Sequence, residues 1–242
     1  MKNTDNKSQQ NTNMPILGHL MELRHRIVLS FIVFSIVTTI CLIYTKQITF
    51  ILQEPALGIK FLQLAPGEYL FVSIKIALYS AIIISAPYTF YQIILFILPG
   101  LTKQESKYII PIVIVSTILF FCGLMFSYKI LIPITLRFLI QYGSDIVEPI
   151  WSFDEYFNFI LLVLFSTGIS FQLPILQIIL GLTKTIKWQQ MLKSWKYVTF
   201  TSTIVGAIVT PSTDPITQIL MTLIILILYL SGIITLKVLD IK

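Results

Sequence analysis

The chain has 242 residues and a mass of 27.7 kDa, with 56% hydrophobic and 12% charged residues and a mean hydropathy of +0.87. A soluble domain carries about 25% charged residues, and so few charges cannot cover a water-exposed globule of this size. The composition excludes a cytosolic enzyme, a disordered protein and a nucleic-acid-binding domain; the formal charge of +6 lies between long apolar runs, the pattern of membrane loops.

In chain order, residues 1–13 are rich in Asn, Gln, Lys and Ser and read as a disordered tail. Residues 14–242 read as one membrane domain. Charge-free runs long enough to cross a hydrocarbon core of ~30 Å give six spans: 27–45; 76–102, with Pro87 and Pro99; 108–128; 156–183, with Pro174; 197–213, ended by Pro211; and 215–236. The first run follows a hydrophilic leader and has no small-residue cleavage site, so it reads as a span and not as a cleavable signal peptide. The fifth is short, since a helix over 197–210 reaches only ~21 Å at 1.5 Å per residue. Residues 212–214 make a tight turn at the membrane surface between Pro211 and Pro215. The outer loops 46–75 and 129–155 are each long enough for a short helix. Trp151, Phe153, Tyr156 and Phe157 fit an interfacial aromatic belt.

Charge sets the orientation. Lys2, Lys7, Arg24, Arg26, Lys103, Lys107, Lys184, Lys187, Lys193, Lys196, Lys237 and Lys242 fall on one side, against Lys46, Lys60, Lys75, Lys129 and Arg137 on the other. By the positive-inside rule both termini are cytoplasmic or stromal. Most acids lie outside: Glu54, Glu68, Asp145, Glu148, Asp154, Glu155 and Asp214.

Chemistry-bearing motifs are scarce. Cys41 and Cys122 stand alone in apolar runs and read as inert core residues. There is no metal-ligand spacing, nucleophile–His pair or Gly-rich phosphate loop, so neither an enzyme nor a cofactor is expected. No Asp, Glu or His chain lies mid-span to relay protons. Two acids stand out on the basic side. Glu22 directly precedes the first span and Glu105 directly follows the second. A partly desolvated carboxylate there gains by meeting a guanidinium bidentately. Against this stand an i,i+4 pair of Glu22 with Arg26, and for Glu105 a solvated loop charge or a helix N-terminal acid. Gln172 and Gln177 lie inside the fourth span and Gln218 just inside the sixth. Each amide is satisfied either within its own bundle or by a partner helix.

The sequence His19-Leu20-x-Glu22-Leu23-Arg24-x-Arg26 resembles the N-terminal signature of the TatC family, the multi-span core of the Sec-independent twin-arginine protein translocase. Ser85-Ala86-Pro87, Tyr91-Gln92, Phe96, residues 101–105, Tyr156-Phe157-x-Phe159, Gly168 to Pro174, and Thr210-Pro211 with Asp214 and Gln218 resemble it in order and spacing. The likeness covers residues 14–236. It implies an all-α fold, a concave glove-like bundle of six transmembrane helices with short fifth and sixth helices. It also implies a function: binding the paired arginines of signal peptides and, with single-span TatA- and TatB-like partners in an oligomeric complex in the bilayer, export of folded proteins by the proton-motive force. The family's signal-binding positions fall on Glu22, Arg24, Phe96 and Glu105. Partner-helix contacts fall on Gln172 and Gln218, and a functional outer-turn acid on Asp214. Many bacterial members carry Glu where this chain has Gln172, whereas plastid and cyanobacterial members often carry Gln. With abundant isoleucine and scarce alanine, this favours a plastid thylakoid member over a bacterial plasma-membrane one. The competing readings are a six-span small-solute transporter or channel, which predicts a polar mid-membrane site in repeated halves, and a membrane scaffold without a recognition site.

Overall fold

A computed structural model describes residues 16–56, 58–97, 109–143, 150–183, 185–209 and 215–238. Its helices are α1 (Ile16–Ile43), α2 (Thr45–Gln53), α3 (Glu68–Ile97), α4 (Ile109–Phe126), α5 (Ile132–Gly143), α6 (Phe153–Ser170), α7 (Leu173–Leu182), α8 (Trp188–Lys193), α9 (Trp195–Val209) and α10 (Pro215–Val238). Five segments are long and apolar enough to cross a membrane: Leu20–Ile43, Glu68–Phe96, Ile110–Tyr142, Phe153–Leu182 and Pro215–Val238. The predicted short fifth span is α9, whose 15 residues reach about 22 Å. The predicted tail lies outside the described residues.

Helix α1 begins well before the predicted first span. Glu22, Arg24 and Arg26 end the apolar run without ending the helix, because all are adequate helix formers and Glu22 and Arg26 pair one turn apart. α1 packs against α3. Its other face, with Val28, Ile32, Ile36 and Ile43, is exposed, as befits a helix that meets acyl chains.

The third span also differs from expectation. α4 does not stop near Tyr128 but continues through a π-helical stretch (Ser127–Leu131) into α5. Leu131, Ile132 and Leu136 bury themselves in the main core, so packing outweighs the single Lys129. The fourth span breaks instead of bending: α6 ends at Ser170 and α7 starts at Leu173. Pro174 stands in the first turn of α7, where its missing N–H is no loss. Pro87, by contrast, is accommodated inside α3.

The core joins α3 (Val72, Ile76), α4 (Phe120), α6 (Phe157, Ile160, Val163) and α10 (Met221). Small residues let these helices close up: a Cβ on Gly168 would sit 2.8 Å from Cε2 of Phe120. Among the buried hydroxyls, Thr135 of α5 and Thr217 of α10 share a hydrogen bond of 2.7 Å.

A small cap covers one end of the bundle. It adds to the all-α expectation a short parallel pair, β1 (Lys60–Leu62) with β2 (Ile150–Ser152), in register Phe61 to Trp151. Glu68 fastens it. One carboxylate oxygen accepts from the N–H groups of Leu64 (2.6 Å) and Ala65 (3.0 Å), the other from Asp154 N–H (2.8 Å) and Ser152 Oγ (3.4 Å). Lys75 meets Asp154 at 2.7 Å. The hydroxyls of Tyr128 and Tyr156 donate to the carbonyls of Ile51 (2.6 Å) and Leu52 (2.8 Å). The aromatic belt read from sequence is therefore corrected in part: Tyr156 and Phe157 are buried, and Tyr156 stacks on Trp151 and packs on Phe61. Their hydrophobicity serves the cap. Cys41 is buried as expected, whereas Cys122 is exposed.

Candidate functional site

The first turns of α1 and the last turns of α3 run side by side and bring distant parts of the sequence together. Glu22 and Arg26 share one face of α1. Arg26 donates from Nε (3.1 Å) and from Nη2 to the same oxygen, Oε1 of Glu22. Its Nη1 donates to Oε1 of Gln92 on α3 at 3.3 Å. Gln92 in turn donates from Nε2 to the hydroxyl of Tyr88, one turn earlier, at 2.7 Å. Side-chain exposure is 19% for Arg26 and 24% for Glu22, and Gln92 is buried. The second oxygen of Glu22, Oε2, is buried and has no hydrogen-bond partner among the described residues.

Arg26 and Gln92 of this cluster line a groove of about 450 Å³ between α1 and α3, together with Leu23, Ile27, Phe31 and Phe34 on one wall and Ser85, Thr89, Ile93 and Phe96 on the other. Phe96 follows Gln92 by one turn and is half-buried. Arg24 lies on the exposed side of α1. The arrangement combines a carboxylate whose second oxygen meets no donor among the described residues with, on the far side of its partner Arg26, an apolar channel that Phe96 also lines. Such a site suits a basic residue followed by an apolar segment.

Of the residues singled out from sequence, Phe96 lines this groove and Glu22 is joined to it through Arg26, while Arg24 is exposed on α1. The i,i+4 pair of Glu22 with Arg26 is present. Glu105 and Asp214 lie outside the described residues. Gln172 and Gln218 are elsewhere. Gln172 precedes α7 at the helix break, and both ends of its amide meet Ser116 of α4: Oε1 accepts from Ser116 Oγ at 2.5 Å, and Nε2 donates to Ser116 O at 3.1 Å. Its amide is thus partnered inside the bundle. Gln218 donates weakly to Thr203 O at 3.3 Å. It borders a hollow of about 370 Å³ between α9 and α10, lined also by Thr203, Pro215, Ile219 and Thr222. Gln177 is buried beside Gly232, whose missing side chain makes room for it. Its amide has no hydrogen-bond partner among the described residues.

Sequence reasoning assigned no role to Tyr88, Gln92 or Ser116. The available signal was spacing. Tyr88, Gln92 and Phe96 recur every fourth residue in an otherwise apolar helix and so share a face.

The model of the family described as Sec-independent protein translocase protein (TatC) matches residues 18–223. The chain belongs to the TatC family. Among its relatives, the tatC-like protein ycf43 of Gracilaria tenuistipitata var. liui is 60% identical over 230 residues, 95% of this chain and 97% of that one. The Sec-independent protein translocase protein TatC of Synechocystis sp. is 49% identical over 220 residues, 91% of this chain and 87% of that one. The chloroplastic TATC of Pisum sativum is 44% identical over 221 residues, 90% of this chain and 63% of that one. A crystal structure described as the twin-arginine translocase receptor TatC matches with a TM-score of 0.83 at 34% identity, covering 91% of this chain and 98% of that one. The TatC fold expected from the family likeness is therefore the fold found, except that the sixth span, α10, is not short but runs for 24 residues. The chain is an integral, multi-pass membrane protein and a twin-arginine translocase subunit of the TatC type.

Proposed function

We propose that this TatC-family protein receives twin-arginine signal peptides at the α1/α3 groove. The observation that carries the reading is the half-buried Glu22 carboxylate, with one oxygen unpartnered among the described residues, paired to an arginine that lines an apolar channel. A signal peptide joins a basic region to an apolar stretch, and the groove offers an acceptor and an apolar wall in that order. A guanidinium binds a carboxylate through two parallel N–H bonds, and a lysine ammonium cannot. Phe96 packs beside the bound residue. Glu105, which the sequence puts just beyond the end of α3, supplies the carboxylate for the second arginine, and Arg24 orients the peptide's polar flank.

In the same reading the groove opens to the cytoplasm or stroma, with both chain termini on that side, and the membrane is a plastid thylakoid. The relatives in Gracilaria and pea chloroplast support that location. Single-span TatA- and TatB-like helices dock on the opposite part of the bundle, at the hollow beside Gln218. Gln172 acts there by holding the α6/α7 break, and Asp214 marks the outer turn between α9 and α10. Assembled copies then move folded cargo with the proton-motive force.

The test is peptide affinity in membranes. A hydrogen bond to a charged group contributes about 1.5–3 kcal/mol, and ~1.4 kcal/mol is tenfold in affinity. Glu22→Gln or Glu105→Gln should weaken twin-Arg peptide binding by at least about tenfold at one site, with Glu105 the larger. Unchanged affinity in a folded double variant overturns the proposal.

A further inference from the structure

We propose that Arg26 is an internal occupant of the Glu22 carboxylate, which an incoming arginine must displace, and that Gln92 retains the displaced guanidinium. The inference rests on the reading of Glu22 as a signal-binding acid and adds a specificity-determining residue to it.

The geometry is that of a poor substitute for a true ligand. A guanidinium and a carboxylate pair best with two parallel bonds, one to each oxygen. Arg26 instead aims both Nε and Nη2 at Oε1. Oε2 is left buried without a donor among the described residues. A buried acceptor without a donor is disfavoured, so the carboxylate keeps an unmet demand. Arg26, held one turn along the same helix, does not meet it and places both donors on Oε1. A guanidinium arriving from outside the helix has no such constraint and can use both oxygens.

Displacement would normally be opposed by the cost of leaving Arg26 without a partner in a half-buried position. The structure supplies one in advance. Nη1 of Arg26 already donates to Oε1 of Gln92, and the other end of that amide is tied to the hydroxyl of Tyr88. Both ends of Gln92 are thereby set: the oxygen faces Arg26 and the NH₂ faces Tyr88. Arg26 can release Glu22 and stay bonded to α3. Competition of this kind raises the threshold for binding, so that only a side chain able to satisfy the whole carboxylate takes it.

The prediction separates competition from simple repulsion and from structural support. Arg26→Gln removes the competitor, so twin-Arg peptide should bind more tightly, by roughly two- to fivefold, the fold-change equivalent of a modest ion pair. In a Glu22→Gln background the same substitution should have no effect, because nothing remains to compete for. If the gain persists there, Arg26 merely repels the peptide. If Arg26→Gln weakens binding in the native background, Arg26 is a support for Glu22 and the inference fails. Gln92→Leu should weaken binding only while Arg26 is present, and the double variant Gln92→Leu/Arg26→Gln should bind as Arg26→Gln does. Equal weakening with and without Arg26 overturns the role given to Gln92. Should Gln92→Leu not accumulate in membranes, the Arg26/Glu22 cycle decides alone. The single variant Glu22→Gln distinguishes the two levels: if it leaves affinity unchanged, the reading of the groove itself is wrong.

Discussion

Gln172→Leu separates two roles that a polar residue inside a bundle can play. The substitution keeps volume and removes two interhelical hydrogen bonds to Ser116, at 2.5 and 3.1 Å. Interhelical bonds inside a membrane contribute ~0.6 kcal/mol each on average and up to about 1.7. Ser116 can turn its hydroxyl back to its own helix, which limits the penalty of leaving it alone. The loss should be ~1–2 kcal/mol, and at about 2–4 °C per kcal/mol for a chain of this size the melting temperature in detergent should fall by a few degrees. Twin-Arg peptide affinity should stay the same, because the α1/α3 groove has no residue from α4 or α7. Transport and crosslinking to a TatA- or TatB-like helix should fall in part, as the α6/α7 break loosens. The reasoning is refuted if the Leu variant melts at the native temperature yet loses its crosslink entirely. The amide would then serve the partner and not the bundle.

Gln218→Leu should reduce crosslinking to a single-span partner without changing thermal stability, since it gives up only a long 3.3 Å bond to Thr203; a stability loss comparable to that of Gln172→Leu would make it a packing residue. Glu68→Ala should free four donors in the cap and speed amide exchange in residues 60–68 and 150–154, read by mass spectrometry; unchanged exchange would show that the β1/β2 pair holds alone. Cysteine labelling should place residues 2–7, 103–107, 187–196 and 242 on one face of the membrane and residues 54–68 on the other, and any one of the first group found opposite its fellows would remove the topology.

Much of the fold was legible because hydropathy measures depth in a membrane directly. Each span ends at Lys, Arg or a proline, so five long segments and one short helix could be read from charge-free runs. The errors fall where a helix and a membrane part company. Glu22 to Arg26 end the apolar run but continue α1, because helix propensity is indifferent to bilayer depth. α4 and α5 join through Ser127–Leu131 because buried side chains outweigh one lysine. Tyr156 and Phe157 have the composition of a lipid belt, but residues remote in sequence cover them. The candidate site divides in the same way. Glu22 was visible as one of two acids beside spans on the basic side, and Phe96 only through the family likeness. Gln92 and Ser116 act through partners on other helices, and one-dimensional patterning does not carry pairings at that distance.

The central claim is that the groove between α1 and α3 receives the paired arginines with the apolar segment that follows. A photoreactive side chain introduced at Ile93, on the groove wall one residue beyond Gln92, tests it in native membranes. The account predicts a crosslink to a twin-Arg signal peptide that falls at least about tenfold with a twin-Lys peptide and with Glu22→Gln. A crosslink of equal strength to both peptides, or none to the twin-Arg peptide while binding persists, would contradict it.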